Sequence, residues 1–236
     1  MRIDPRQVVT KMPDMLYTLI DDELSKHSAT DSKNLFGVSA PSERRRAIVT
    51  RLLVSATDIV TQQGFGALTF RKLAKQCSMS LSNLQYYFPS SEALIHAMLR
   101  FIISQNLQNL RDSTFPDIQT PEDRLRAFFE FLTSDIRKKK TNALFTAIWD
   151  LAQRDRFVAD KLDKIYSVEI ALLTLLLAEI NPTAKSKELS EKAGVISALF
   201  EGMMPVFGPA SALDIKDGIH LAAVRHACQI AGIAPK

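Results

Sequence analysis

Two stretches of the chain carry the same start signal eleven residues apart, and together they constrain the fold more than any other feature. Thr69 precedes Phe70-Arg71-Lys72-Leu73-Ala74, and Ser80 precedes Leu81-Ser82-Asn83-Leu84. A hydroxyl at such a position accepts a hydrogen bond from a free N–H of the first helical turn. The apolar pairs Leu68 with Leu73, and Met79 with Leu84, flank each cap at the spacing of a hydrophobic staple. Pro89 closes the second stretch after Phe88, because its ring removes a donor and clashes with the preceding turn. The spacing predicts two short helices, one ending near Cys77 and one near Phe88, separated by a turn of three residues.

Elsewhere apolar residues recur at intervals of three and four, the helical period, and neither sustained alternation nor an Asn-Gly or Asp-Gly hairpin signal appears. The expected fold is all-α, with an N-terminal three-helix head on a C-terminal helical bundle. The head's first helix is read over Glu43 to Gln63, with Ile48, Leu52, Ala56, Ile59 and Val60 on one face and Gly64 as its stop. Ser90 starts a helix through Leu110, and Thr120-Pro121-Glu122-Asp123 starts another reaching Lys140. Further helices are expected at about 142 to 154, 157 to 180, 185 to 204 and 214 to 231, with breaks at Asn181-Pro182 and Gly208-Pro209. Residues 1 to 40 read as an arm, to be packed on the body or mobile: Met15, Leu16, Leu19, Ile20 and Leu24 fit one short helix, and Ser28 to Ser42 a linker. The expected domains are therefore 1 to 40, 41 to 91 and 92 to 236.

Charge singles out the same region. Residues 41 to 91 hold Arg44, Arg45, Arg46, Arg51, Arg71, Lys72 and Lys75 against only Glu43 and Asp58, which is more than the formal +4 of the whole chain. Such an excess is the electrostatic footprint of nucleic-acid binding, although a solvated helix face produces basic clusters more often. In the segment after Ser80, Leu84 and Phe88 form an i, i+4 pair that must face the core. Leu81, Ser82, Gln85 and Tyr86 then lie on the other side, with Asn83 and Tyr87 on a flank. A short polar face without acids suits the major groove, where Gln pairs with adenine, Arg with guanine and apolar atoms meet the thymine methyl. Thr69, Asn83 and Tyr87 are better placed for phosphate oxygens, and the helix start with Arg71 and Lys72 attracts phosphate.

The order and spacing of these residues resemble the DNA-binding head of the TetR family. The likeness runs over residues 44 to 101: Gly64-Phe65, Leu68-Thr69-Phe70-Arg71-Lys72-Leu73-Ala74, Ser78-Met79-Ser80 and Leu84-Gln85-Tyr86-Tyr87-Phe88-Pro89-Ser90-Ser91-Glu92-Ala93-Leu94. It implies a sequence-specific transcriptional regulator, a repressor on a palindromic operator, with an activator or a protein-responsive regulator of the same fold as the alternative. It further implies Arg71, Leu81, Ser82, Gln85 and Tyr86 as base readers, and Thr69, Asn83 and Tyr87 on phosphates, around a helix opened by Ser80. Three positions depart from the family pattern: Ser78 replaces the usual Gly of the turn, Gln85 the usual aromatic, and Ser91 the usual phosphate-binding Lys. Ser78 must then adopt a strained backbone, and the missing lysine weakens phosphate affinity.

The resemblance also implies a homodimer built on the last two helices and a small-molecule effector in the body. For the dimer, Leu189, Ala193, Ile196, Leu199, Phe200 and Met203 form an apolar stripe, while Gly194, Ser197, Ala198 and Gly202, with Ala222, Ala223 and Ala227, permit close helix approach. Internal core is the competing reading of that stripe. For an apolar or aromatic ligand, Phe128, Phe129, Phe131, Phe145, Trp149 and Phe157 supply aromatic surface, and for each alone a core role serves as well.

Other chemistry finds little support. Cys77 and Cys228 lack flanking cysteines, so neither a disulfide framework nor a zinc site is indicated, and a reducing cytoplasm fits. His220 and His226 are six apart and cannot share a helix face as metal ligands. No cofactor motif, phosphate loop or nucleophile with its base can be assembled, which leaves an all-α enzyme or carrier as a distant rival. The longest apolar run, Ile170 to Ala178, is far shorter than the roughly 20 residues of a membrane span. The run Arg137-Lys138-Lys139-Lys140 reads as a solvated helix end.

Overall fold

A computed structural model describes residues 15–23, 33–113, 117–207 and 216–234. The described chain is helical apart from one small hairpin. After helix α1 over residues 15–23 come strands β1 (Asn34–Leu35) and β2 (Val38–Ser39), then helices α2 (Glu43–Gln63), α3 (Phe70–Gln76), α4 (Leu81–Tyr87) and α5 (Ser91–Arg111). The order continues with α6 (Pro121–Ile136), α7 (Lys139–Ala152), α8 (Arg156–Ile180), α9 (Ser186–Glu201), the short α10 (Met203–Phe207) and α11 (Lys216–Ala231). The all-α expectation holds. Leu24 and Gly208-Pro209, used in the sequence reading, lie outside the described residues.

The chain divides into two compact units. The head unit comprises Asp21–Leu110 and Ala143–Asp163; the bundle unit comprises Met1–Ile20, Arg111–Asn142 and Lys164–Lys236. These boundaries differ from a cut at residues 41 and 91, because the head draws on residues before Pro41, on most of α5 and on the segment joining α7 to α8.

The head forms for reasons visible in its caps and core. Ser42 accepts from the Arg45 N–H at 3.4 Å to start α2, and Gly64, at φ 77°, ends it while its N–H bonds the Val60 carbonyl at 2.8 Å. A positive φ is open to Gly at little cost, which is why the helix stops there. The core gathers Val49, Leu52, Leu53, Ala56, Ile59 and Val60 of α2, Leu73 and Ala74 of α3, Leu84 of α4, Phe88, and Leu94, Ala97 and Met98 of α5. Leu144, Ile148 and Val158 from the later segment complete it.

The hairpin corrects the expectation that nothing forms a strand and that Ser28 to Ser42 is a linker. Asn34 pairs with Ser39 and Leu35 with Val38, antiparallel, across a turn whose central residues Phe36 and Gly37 have φ of 53° and 82°. Tight hairpin turns need positive φ at both centres, and Phe at the first is rarely used for this. Here its ring is buried edge-on against Phe101, with centroids 5.4 Å apart, so packing offsets the backbone strain. Gly37 suits its place because a side chain at φ 82° is strained, and a Cβ there, 2.4 Å from Arg100 Nη1, would also make that guanidinium move. Leu35, Phe36, Val38 and Ala40 are all in the head core.

In the bundle unit α6, α9 and α11 pack together. Thr120 caps α6 with Pro121 in its first turn, as the sequence indicates, but the helix stops at Ile136 rather than continuing to Lys140. The basic run thus straddles the break between α6 and α7, with all four side chains exposed and Lys138 paired to Asp135 at 2.9 Å. Likewise the helix expected to 204 ends at Glu201, and α10 follows Gly202. The bundle also holds a buried ion pair: Arg124 on α6 bonds both carboxylate oxygens of Glu179 on α8, and its Nε donates to the Ile118 carbonyl at 2.9 Å. With Nη2 also reaching the Gln119 carbonyl at 3.5 Å, the pair ties these elements together, and removing one partner would leave a buried charge.

Candidate nucleic-acid interface

The two capped helices form as their spacing predicts. Thr69 Oγ1 accepts from the Lys72 N–H at 3.3 Å, and Ser80 Oγ accepts from the Asn83 N–H at 3.2 Å. Between them the chain turns through Cys77, Ser78 and Met79. The Met79 N–H reaches back to the Ala74 carbonyl at 3.0 Å and the Ser78 N–H to the Lys75 carbonyl at 3.2 Å. That pair of bonds is the Schellman ending of a helix, which places one residue in the left-handed region; Ser78 occupies it at φ 51°. A non-Gly residue there costs on the order of 1 kcal/mol, and the half-buried Met79 and buried Cys77 on either side hold the turn in place.

The faces separate cleanly. Leu84 and Phe88 are fully buried, whereas Leu81, Ser82, Asn83, Gln85 and Tyr86 are exposed, Tyr86 to 62%. Tyr87 is half-buried and packs on the head core, so it belongs to the flank as expected. Arg71 and Lys75 are exposed; Lys72 is half-buried and bonded to Gln63 Oε1 at the end of α2. Gln76 reaches the Ser55 carbonyl at 3.5 Å, a second tie from α3 to α2. From Asp58 to Glu92 no acidic side chain intervenes, so nothing on this face opposes a polyanion.

One contact was not legible in the sequence. Arg45, in the first turn of α2, donates from Nη2 to the Tyr86 hydroxyl at 2.5 Å, and its guanidinium lies 5.1 Å from the centre of the Tyr86 ring. The partners are 41 residues apart, and no periodicity links them.

The aromatic residues picked as ligand-lining divide between the units. Phe128 and Phe129 are buried in the bundle unit and Phe131 is half-buried; Phe128 and Phe131 stack with centroids 6.4 Å apart, and Phe129 packs on Phe200 at 5.5 Å. Phe145, Trp149 and Phe157 belong to the head unit, where Phe157 stacks on His96 at 3.6 Å between Arg100 and Lys161. The bundle also contains two carboxyl groups that sequence reasoning passed over. Burial, and then the charge of Glu169, push Glu201 up to about 8, against the Tyr166 hydroxyl that donates to it at 3.0 Å. Burial raises Glu169 too, against a bond from Ser197.

The expected dimer residues need correction. Ile196, Phe200, Met203, Ala223 and Ala227 are each at most 4% exposed within the single chain, so they are internal core with nothing left to bury against a partner. Of the six only Leu199 is half-buried. The outward apolar side of α9 instead carries Val195 at 56%, Ala198 and Gly202, continued by Val206 at 49%, and α11 presents Leu221 at 65%. Both cysteines are free and buried, and among the described residues no group of three His, Cys, Asp or Glu side chains is placed to hold a metal ion. No described helix is long and apolar enough to cross a membrane.

Residues 52–98 match the family model described as bacterial regulatory proteins, tetR family. An uncharacterised HTH-type transcriptional regulator from the dhlA 5′ region of Xanthobacter autotrophicus is 28% identical over 164 residues, 67% of this chain and 79% of that protein. The HTH-type transcriptional regulator RutR of Escherichia coli K12 is 38% identical over 69 residues, 28% of this chain and 32% of RutR. Among solved structures, a TetR transcription regulator from Haloarcula marismortui superposes with a TM-score of 0.65 over 79% of this chain and 97% of its own, at 15% identity.

Proposed function

We propose that the chain is a helix-turn-helix transcriptional regulator of the TetR family and that it acts as a repressor: a homodimer on a palindromic operator, released by a small apolar or aromatic effector. In this reading it acts by binding DNA through its helix-turn-helix, the segment that matches the family model. The observation that carries the operator reading is the outward, acid-free face of α4, with Ser82, Gln85 and Tyr86 exposed behind a buried Leu84–Phe88 spine. In this reading α4 enters the major groove, with Arg71, Leu81, Ser82, Gln85 and Tyr86 toward base edges. Thr69, Lys72, Asn83, Tyr87 and the Ser80 end of the helix lie along phosphates.

The test is to select bound fragments from genomic DNA and follow fluorescence anisotropy of the selected duplex against salt. The logarithm of affinity should fall linearly with log salt, and the selected sequence should exceed random DNA by about a thousandfold or more. Gln85→Ala should narrow that margin, whereas Lys72→Ala should weaken both duplexes alike. A flat salt response, or no margin over random DNA, refutes the proposal.

One head reads a half-site, so twofold pairing is required to place two α4 helices roughly 34–36 Å apart. The surface proposed for it is the outward face of α9 and α11, where Val195, Leu199, Val206 and Leu221 are apolar while Ala198 and Gly202 leave room for a second copy. Large exposed aliphatics beside small residues are what a helical interface between identical copies needs. Val195→Arg combined with Leu221→Arg should convert a dimer to a monomer in sedimentation, with helical content retained in circular dichroism and operator affinity lost. A wild type that sediments as a monomer at micromolar concentration, or a double variant that stays dimeric, counts against this surface.

The effector is the remaining part of the reading. Phe128 and Phe131 offer stacked aromatic surface in the bundle, and Phe145 with Trp149 stand as candidates on α7. Trp149 is the chain's single tryptophan, so quenching of its emission reports on ligand binding near it directly.

A further inference from the structure

We propose that Arg45 determines base specificity by acting through Tyr86: the guanidinium at the start of α2 holds the phenol of α4 and occupies its oxygen, so that the hydroxyl is turned to meet DNA as a hydrogen-bond donor. The inference rests on reading α4 as the recognition helix, and it adds to that reading a residue from a different helix.

An exposed tyrosine on a short helix ordinarily samples several side-chain rotamers. Tyr86 is held on three sides. Its oxygen accepts from Arg45 Nη2 at 2.5 Å, the guanidinium carbon lies 5.1 Å from its ring centroid, and the Tyr87 ring meets it edge-on at 5.4 Å and 84°. Both supports are themselves anchored. Tyr87 packs on the head core, and the Arg45 backbone N–H is bound by the Ser42 cap, leaving its side chain half-buried. A cation over an aromatic face and a bond to the phenol oxygen of the same ring reinforce one geometry.

Guanidinium has donors and no acceptor. The phenol oxygen therefore receives a hydrogen from Arg45 and cannot return its own, so the Tyr86 proton must be given to something else. In the major groove, the acceptors are guanine N7 and O6, adenine N7 and thymine O4, while the cytosine amino group is a donor. A base contacted by Tyr86 should accordingly be a purine or thymine on the contacted strand, with cytosine disfavoured. Freed from Arg45, the hydroxyl can turn and accept, and that selectivity relaxes.

Anisotropy on the selected operator duplex and on its single-base variants tests this with wild type, Tyr86→Phe, Arg45→Ala, Arg45→Lys and the Arg45→Ala/Tyr86→Phe pair. Tyr86→Phe and Arg45→Ala should each lose about tenfold in discrimination at the same base position, and the double variant no more than either alone. Arg45→Lys keeps the charge without the planar fork, so it should recover affinity for random DNA while the base profile stays relaxed. Circular dichroism confirms that each variant folds, and Tyr86→Phe keeps the ring in place should Arg45→Ala be unstable. If Arg45→Ala lowers affinity for every sequence equally, or the double loss is the product of the single ones, Arg45 is a phosphate contact and the inference fails. A wild type with no preference for the selected duplex overturns the reading of α4 itself.

Discussion

Replacing Phe88 by alanine is expected to remove about 3–5 kcal/mol from the head unit, the usual cost of deleting a fully buried aromatic ring, and to abolish operator binding with it. Phe88 has no exposed surface and shares the head core with Leu73, Leu84, Leu94 and Met98. It is also the last residue before Pro89, so the cavity would open where α4 ends and the entry to α5 is set. Tyr86→Ala, two positions earlier, should differ in kind. That residue is 62% exposed, and its loss should cost about 1 kcal/mol, the scale of its exposed contact with Arg45, while narrowing the margin between operator and random DNA. Denaturant unfolding alongside anisotropy separates the two effects. Equal destabilisation by both substitutions would mean that the face assigned to DNA is packed inward in solution.

The second large effect is a loss of stability with rising pH that traces to Glu201. The folded protein holds its proton up to about pH 8, against 4.5 for the unstrained carboxyl, chiefly because burial penalises the charge and then because Glu169 lies near. Between those values the folded state binds more protons than the unfolded one. Stability from this group is therefore fully present below 4.5 and is lost as pH climbs through about 8. Glu201→Gln keeps an acceptor for the Tyr166 hydroxyl and removes the titration. Thermal melts from pH 5 to 9 should show wild type declining toward the alkaline end, with the variant flatter and at least about 3 °C higher near pH 9. Parallel profiles would show that Glu201 ionises at its ordinary value. Glu169 remains in the variant and retains its own raised ionisation, so a residual slope is expected.

What could be read from the chain and what could not divides along physical lines. Thr69, Ser80, Gly64 and Pro89 act within one turn of themselves, and caps and breakers of this kind place α2, α3 and α4 within a residue of where they lie. The Leu84–Phe88 spacing gave the buried side of α4, and so its outward side, without any knowledge of neighbours. Contacts between distant segments were beyond that logic. The hairpin at Asn34–Ser39 turns on Phe36, a residue with no local preference for left-handed backbone, and what makes the conformation tolerable is Phe101, far along the sequence. The pairing of Arg45 with Tyr86 and the clustering of Glu169 with Glu201 are of the same sort. The stripe on α9 failed for a related reason: periodicity finds an apolar face but does not say whether the chain itself or a second copy covers it. The burial of Ile196 and Phe200, set against the exposure of Val195 and Leu221, decides that question.

Because Leu35, Phe36 and Val38 precede the capped helices, and Leu144, Ile148 and Val158 follow them at a long remove, the helix-turn-helix part of this protein is not a module that can be excised at two points. Grafting only its three short-range helices onto a relative's body would transplant the reading surface but strand half of its supporting wall. A working chimera must carry the preceding hairpin, α5 and the α7–α8 junction as well.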